Sequence, residues 1–114
     1  MNRMNKEEMN EVSMAIILHS GNARIIAEEV LENIKNNKLS EIEELLKKAN
    51  DEIVKAHGVQ TDLIQKEAGG EEYENCLLFN HAQDTLMTSK LKVELAKDMY
   101  EIFEVLNKKI GGVK

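Results

Sequence analysis

The sequence has no proline, two tyrosines, two phenylalanines, no tryptophan and a single cysteine in 114 residues. Without proline, nothing forces a helix to kink or stop, so long uninterrupted helices are open to this chain. A lone Cys76 rules out an internal disulfide and fits a reducing compartment. No stretch approaches the roughly 20 apolar residues of a membrane span, and none resembles a signal peptide, so a cytoplasmic protein without membrane insertion is expected. There is no Lys/Arg-rich run either, and the net charge is −6. Phosphate backbones would be repelled, which argues against nucleic acid and suits basic protein partners.

What the sequence does have is 32% charged and 42% hydrophobic residues, the balance of a folded chain. Residues 1–114 are one domain's worth. Three segments carry helical periodicity. Met9, Val12, Ile16, His19, Ala23, Ile26 and Val30 form the first stripe, and "NNK" at 36–38 interrupts it. "SEIE" at 40–43 has the form of a capping box, with Ser40 as N-cap and Glu43 reaching back. The second stripe is Ile42, Leu45, Ala49, Ile53, Ala56, Gln60 and Leu63, ended by Gly69 and Gly70, which supply a left-handed cap. The spacing predicts helices over about 7–36, 40–68 and 73–109. Short connections make neighbours antiparallel, so the expected fold is all-α: an up-down-up three-helix bundle.

The third helix carries two stripes. One is Leu78, Ala82, Leu86, Ser89, Val93, Ala96, Tyr100 and Phe103. The other is Leu77, His81, Asp84, Thr88, Leu91, Leu95, Ile102 and Leu106. An edge helix of a three-helix monomer needs one apolar face. Two faces predict that one packs internally and the other against copies of the same chain. The alternative is a single face about 140° wide.

The second stripe contains the stretch "HAQDTLMT" (81–88). His81 and Asp84 lie about 60° apart on the helix, and Asp84 keeps heptad register with Leu77 and Leu91. In a symmetric oligomer, copies of Asp84 would face one another and must protonate or share a cation. A hard cation such as Mg²⁺ held by carboxylates and water is one resolution. The other is a polar layer that sets register. His81 has two readings as well. Neutral imidazole accepts a phosphoryl group at neutral pH, and the Gln83 amide could donate to phosphate oxygens. Otherwise His81 and Asp84 make a structural layer in a non-catalytic helical oligomer. Spacing alone leaves both open.

Gly21 and Gly58 sit inside helices, where glycine costs about 1 kcal/mol relative to alanine. Pivoting at the turns brings both level with His81 and Asp84, which predicts a close backbone approach or a cleft beside the histidine. His19 and His57 are expected to be hydrogen-bonded interior histidines, Cys76 an inert small hydrophobe, and the methionines and leucines core filler. The histidines have no zinc-site spacing.

Three stretches, "ILHSGNAR" (17–24), "AHGVQTDLIQKEAGG" (56–70) and "HAQDTLMT", together resemble enzyme IIA of the lactose/cellobiose (chitobiose) class of the bacterial phosphoenolpyruvate:sugar phosphotransferase system. The resemblance spans about residues 9 to 108. It implies a trimer of three-helix bundles in which His81 is the phosphoryl acceptor. The donor would be the histidine-containing phosphocarrier protein, and the recipient a cysteine of the cognate enzyme IIB, in uptake of cellobiose, lactose or chitobiose. It implies that Gln83 helps hold the phosphoryl group, and that Asp84 from three subunits meets a divalent cation, usually Mg²⁺, on the trimer axis. The family commonly reads HAQDHLM, whereas Thr85 stands here in place of the second histidine, so any assisting role of that histidine does not carry over. Asn80 also replaces a usually apolar residue.

Overall fold

The structure is a computed structural model that describes residues 3–70, 72–73 and 76–111. Helix α1 covers Lys6–Lys35, α2 Ile42–Ala68 and α3 Leu77–Gly111. Side by side they make a three-helix bundle, a rod of 68 × 21 × 18 Å. Among the described residues, no helix is long and apolar enough to cross a membrane. One feature has no counterpart in the helical pattern. Strands β1 (Arg3–Met4) and β2 (Glu72–Tyr73) pair in parallel, Arg3 beside Glu72 and Met4 beside Tyr73. Four paired residues leave the class all-α. They do move the start of α3, because the backbone groups at Tyr73 are spent on the strand pair and the helix begins at Leu77 instead.

Local chemistry explains most helix ends. The Asn5 side chain accepts from the Glu8 N–H at 2.8 Å, and Glu7 and Glu8 place negative charge at the positive end of α1. Past α1 the chain turns through Asn37, at φ 55°, a conformation asparagine tolerates better than most residues. The expected capping box at Ser40 does not form. The N-cap is Glu41, without a side-chain bond, and the Ile42 N–H reaches the Leu39 carbonyl at 3.4 Å. Leu39 packs on the core and Ile42 is fully buried, so apolar anchoring, not serine capping, sets where α2 starts. At its other end the glycines divide the work. Gly69 caps α2 at φ −79°, and Gly70, at φ 103°, takes the left-handed conformation.

The core follows the predicted stripes closely. Buried are Met9, Ile16, Ala23, Ala27 and Val30 of α1, and Ile42, Leu45, Ala49, Ile53, Ala56 and Leu63 of α2. From α3 come Ala82, Leu86, Ser89, Val93, Ala96 and Tyr100 of the predicted stripe, and Phe79, which lies on neither predicted stripe, while Leu78 is only half-buried. The face of α1 is rotated slightly from expectation. Ser13 and Ser20 are fully buried, while Val12, His19 and Ile26 are half-buried at its edge. Ser13 stays inside by donating to the Met9 carbonyl at 2.6 Å. The expectation that methionine and leucine are core filler fails for Met14, Leu18, Met87 and Met99, which are exposed.

Cross-helix contacts fix the heights. Along α1, His19 meets Glu52 of α2, and Val12 lines a small cavity with Val59 and Leu63, so rising numbers on α1 meet falling numbers on α2. Asn10 lies beside Cys76, and Glu28 beside Lys92, so numbers on α1 and α3 rise together. Helix α1 packs extensively on both others, whereas α2 and α3 touch much less. Their seam opens into a groove of about 620 Å³ between Leu46 and Asn50 on one side and Val93, Lys97 and Tyr100 on the other.

Candidate functional site

His81 sits in the second turn of α3, with its side chain exposed. Its imidazole has no hydrogen-bond or ion-pair partner among the described residues, and neither has the exposed Asp84 carboxylate one turn on. Around them the second stripe is open. Leu77 is 85% exposed, Leu91 56% and Leu95 46%, and Ile102 and Leu106 are exposed as well. The first stripe, meanwhile, fills the core, with Leu86 at 0%. A single broad apolar face is thereby ruled out: within one chain, the stripe containing His81 and Asp84 is uncovered.

Thr85 stands one turn beyond His81. Its hydroxyl donates to the His81 carbonyl at 2.9 Å, a local backbone bond of the kind threonine makes inside helices. Thr88 does the same to Asp84 at 2.9 Å. The Thr85 hydroxyl is thus spent on the backbone and not on the imidazole.

Gln83 is not brought to His81 within the chain. Residues two apart on a helix face different ways. The Gln83 side chain turns instead to α2, where the Gln60 amide nitrogen donates to its Oε1 at 3.3 Å. Gln60 lies on the apolar stripe between Ala56 and Leu63, both buried. A polar residue at a position that would suit leucine was the only sign of this pair in the sequence.

Neither glycine marks a close backbone approach. A Cβ added at Gly21 or at Gly58 would meet nothing within 4 Å, so the close-approach alternative is overturned and open space remains. Cys76 is 66 positions beyond Asn10, and Lys92 is 64 beyond Glu28, which puts Gly21 level with about Thr85. The Gln60–Gln83 bond puts Gly58 near the same height on α3, but the His19–Glu52 contact puts Gly21 opposite about Asn50 of α2, so the two glycines are not brought to one level.

At this height α1 and α3 are nearly free of charge, whereas on α2 a short uncharged run follows Glu52 and Lys55, with Glu52 bonded to His19. Residues 12–23 and 56–61 contain no Asp, Glu, Lys or Arg, and residues 76–89 contain only Asp84. Exposed Met14, Leu18, Leu77 and Met87 lie in this belt. Charged residues flank this stretch on both sides: Lys6, Glu7, Glu8, Glu11, Lys66 and Glu67 toward one end, and the α1–α2 turn and second half of α3 toward the other.

The other candidates have structural roles or none. The His19 Nδ1 lies 2.6 Å from the Glu52 Oε2, both part-buried, fastening α1 to α2. That hydrogen bond holds the Glu52 carboxyl below its ordinary value of 4.5, with Asn22 and Lys55 adding to it against the opposing effect of burial. His57 is half-buried but has no hydrogen-bond partner among the described residues, contrary to expectation. Cys76 packs partly against the core, its sulfur 3.9 Å from the Asn10 Oδ1, as a small hydrophobe would. Among the described residues, no group of three His, Cys, Asp or Glu gathers to hold a metal ion within one chain.

Known proteins resemble this chain in sequence and fold. The family model described as "PTS system, Lactose/Cellobiose specific IIA subunit" matches residues 11–104. The lichenan-specific phosphotransferase enzyme IIA component of Bacillus subtilis is 41% identical over 106 residues, covering 93% of this chain and 96% of that one. The crystal structure of the cellobiose-specific enzyme IIA from Bacillus anthracis superposes with a TM-score of 0.83 at 40% identity, covering 93% of this chain and 95% of that one. The chitobiose IIA of Escherichia coli, solved in solution in its complex with HPr, gives 0.73 at 33% identity, covering 88% and 97%.

Proposed function

Because this chain belongs to the lactose/cellobiose-specific IIA family of the phosphotransferase system, we propose that it is a phosphoryl carrier for disaccharide uptake, with His81 as the acceptor. The donor is the histidine-containing phosphocarrier protein, in keeping with the HPr complex of the E. coli relative. The recipient is a cysteine of the cognate enzyme IIB. What supports the role of His81 is its exposed, unpartnered imidazole in a stretch of α3, residues 76–89, whose one charged side chain is Asp84. An imidazole buried in the core could not meet two different proteins in turn.

The chemistry is in-line transfer between side chains. A neutral nitrogen of His81 attacks the phosphorus of the donor phosphohistidine, and the P–N bond to the donor breaks as the new one forms. In the second step an enzyme IIB thiolate attacks, the P–N bond to His81 breaks as P–S forms, and His81, protonated on its other ring nitrogen, leaves as neutral imidazole. Catalysis here is positioning plus stabilisation of the phosphoryl oxygens.

The uncovered stripe of α3 is taken to associate with copies of itself as a homotrimer, each subunit an antiparallel up-down-up bundle of residues 1–114. Three Asp84 carboxylates meet at the axis. Asp84 fits a shared divalent cation such as Mg²⁺: it is an oxygen donor, free of internal partners, on an apolar face that association would cover. Bound there, the cation would offset repulsion among the carboxylates. At about 100° per residue, His81 lies about 60° to one side of Asp84 and Gln83 about 100° to the other. Around a threefold axis, one flank of each α3 faces the opposite flank of the next. His81 of one copy then meets the Gln83 side of its neighbour, about 3 Å apart in height. That is how Gln83 stabilises the phosphoryl group despite facing away from His81 of its own chain. Relay between soluble partners places the protein in the cytoplasm.

Intact mass spectrometry after incubation with phosphoenolpyruvate, enzyme I and the phosphocarrier protein tests the assignment. Wild type should gain one acid-labile phosphoryl group and His81→Gln none. Folded wild-type protein without an adduct would make His81 and Asp84 a structural layer in a non-catalytic helical oligomer.

A further inference from the structure

We propose that Gln60 is a positioning residue: it supplies the donor for the carbonyl end of the Gln83 amide, so that the NH₂ end can face the phosphoryl group. The inference rests on the carrier reading above and on the role of Gln83 within it. An amide side chain has two unlike ends: an NH₂ that donates and a carbonyl oxygen that only accepts. Toward a phosphoryl group the NH₂ end stabilises and the carbonyl end repels. Nothing in Gln83 itself chooses between them, since turning the amide by a half rotation about its last bond exchanges the two. Gln60 is an amide with the same freedom, so the two turn together; its nitrogen, 3.3 Å from the Gln83 Oε1, is the donor that satisfies the acceptor end when the NH₂ end faces the phosphoryl group. It occupies the acceptor end and leaves both N–H groups of Gln83 free for phosphoryl oxygens.

The placement of Gln60 agrees with this role. It holds a half-buried position on the apolar stripe of α2, between buried Ala56 and Leu63 and facing the seam with α3. A leucine would pack there without leaving polar atoms to satisfy. A glutamine is kept at some cost in burial, and its partner across the seam is the residue proposed to face the phosphoryl group. The α2–α3 seam is also the thinner of the interhelix contacts made by α3, so a specific hydrogen bond there sets a side-chain orientation that packing alone leaves open.

The proposal separates two variants of similar size by the direction of the bond. Gln60→Glu replaces the donor with a carboxylate. It must accept from the Gln83 NH₂, which turns the amide round and presents its oxygen to the site. Gln60→Lys keeps a donor toward the Gln83 Oε1 and should preserve the orientation. The experiment uses full-length ¹⁵N-labelled protein, checked for helicity by circular dichroism and charged by phosphoenolpyruvate, enzyme I and the phosphocarrier protein. Two quantities are read: the Gln83 side-chain NH₂ resonances before and after phosphorylation, and the single-turnover rate of transfer to enzyme IIB.

In wild type and Gln60→Lys the Gln83 NH₂ signals should move on phosphorylation. In Gln60→Glu, His81 should still be charged, but the signals should stay in place and transfer should slow roughly tenfold, the loss of one hydrogen bond to a charged group. Equal slowing in both variants, or Gln83 NH₂ signals that move on phosphorylation in Gln60→Glu as far as in wild type, would overturn the positioning role and leave Gln60 a packing residue. An adduct on wild type that leaves the Gln83 signals unmoved would remove Gln83 from the site, and the inference with it, while the carrier reading stands. No adduct at all would end both.

Discussion

A carboxylate that accepts a hydrogen bond from a histidine on another helix is a pH-dependent fastening, and Glu52 is one. The His19 Nδ1, 2.6 Å away, is the main reason its carboxyl is held below 4.5. A group whose folded value is lowered adds stability above its unfolded value, and loses it as the pH falls through the folded value. The fastening is therefore complete at neutral pH and fades in acid below about pH 4.5. Replacing Glu52 with Gln should cost about 1 kcal/mol at pH 7, a few degrees of melting temperature. Melting curves of both proteins between pH 7 and pH 3 should show that gap closing at the acid end, and a gap constant across the range would contradict the assignment. Residues of this kind were only half legible. His19 lies on an apolar stripe, which marks it as part of the packing, but periodicity carries no information on which acid of α2 lies opposite. The Gln60–Gln83 pair was hidden for the same reason. Each glutamine was visible, and the register between two helices that joined them was not.

At the scale of an element, α3 divides its work between two faces. Leu86 is fully buried in the bundle, and Leu95, two and a half turns on, is 46% exposed. Leu95→Glu should therefore leave the helical content and fold of a single chain intact while abolishing the proposed self-association. Sedimentation velocity should read a trimer for wild type and a monomer for the variant, and a trimeric variant would move the interface elsewhere. Both stripes were legible because a buried face repeats every three to four residues, whatever covers it. The ends of the elements were harder. Ser40 and Glu43 have the chemistry of a capping box, but Leu39 and Ile42 are anchored in the core, and burying them sets the start of α2. The β1–β2 pair joins two-residue strands far apart in the chain, and two residues are too few to show alternation. The start of α3 was misplaced for that reason.

For the molecule as a whole, the question is what the uncovered stripe does with Asp84. If three copies meet on an axis, a chelator should lower the melting temperature of wild type, because the carboxylates are left to repel one another. Asp84→Asn should be insensitive to the chelator and at least as stable as metal-free wild type. Thermal melts of both proteins with EDTA and with added Mg²⁺ decide this, and equal responses would take the cation away from Asp84. Of the site, His81 and Asp84 were legible as polar interruptions of an apolar stripe, whereas their exposure in the single chain was not. A stripe has the same appearance in sequence whether its cover comes from the same chain or from another.

The belt around His81 also bears on how quickly partners arrive and how firmly they stay. The acidic field of this molecule comes almost wholly from residues beyond the belt, since Asp84 is the one charged side chain in residues 12–23, 56–61 and 76–89. Attraction of a basic partner over tens of ångströms is screened within about 8 Å at physiological ionic strength. Contact at methionine and leucine depends instead on displaced water, which salt barely weakens. Added salt should thus slow the encounter while leaving the lifetime of the docked pair nearly unchanged. A carrier that must release each partner to meet the next keeps its long-range capture and its grip at the site under separate control.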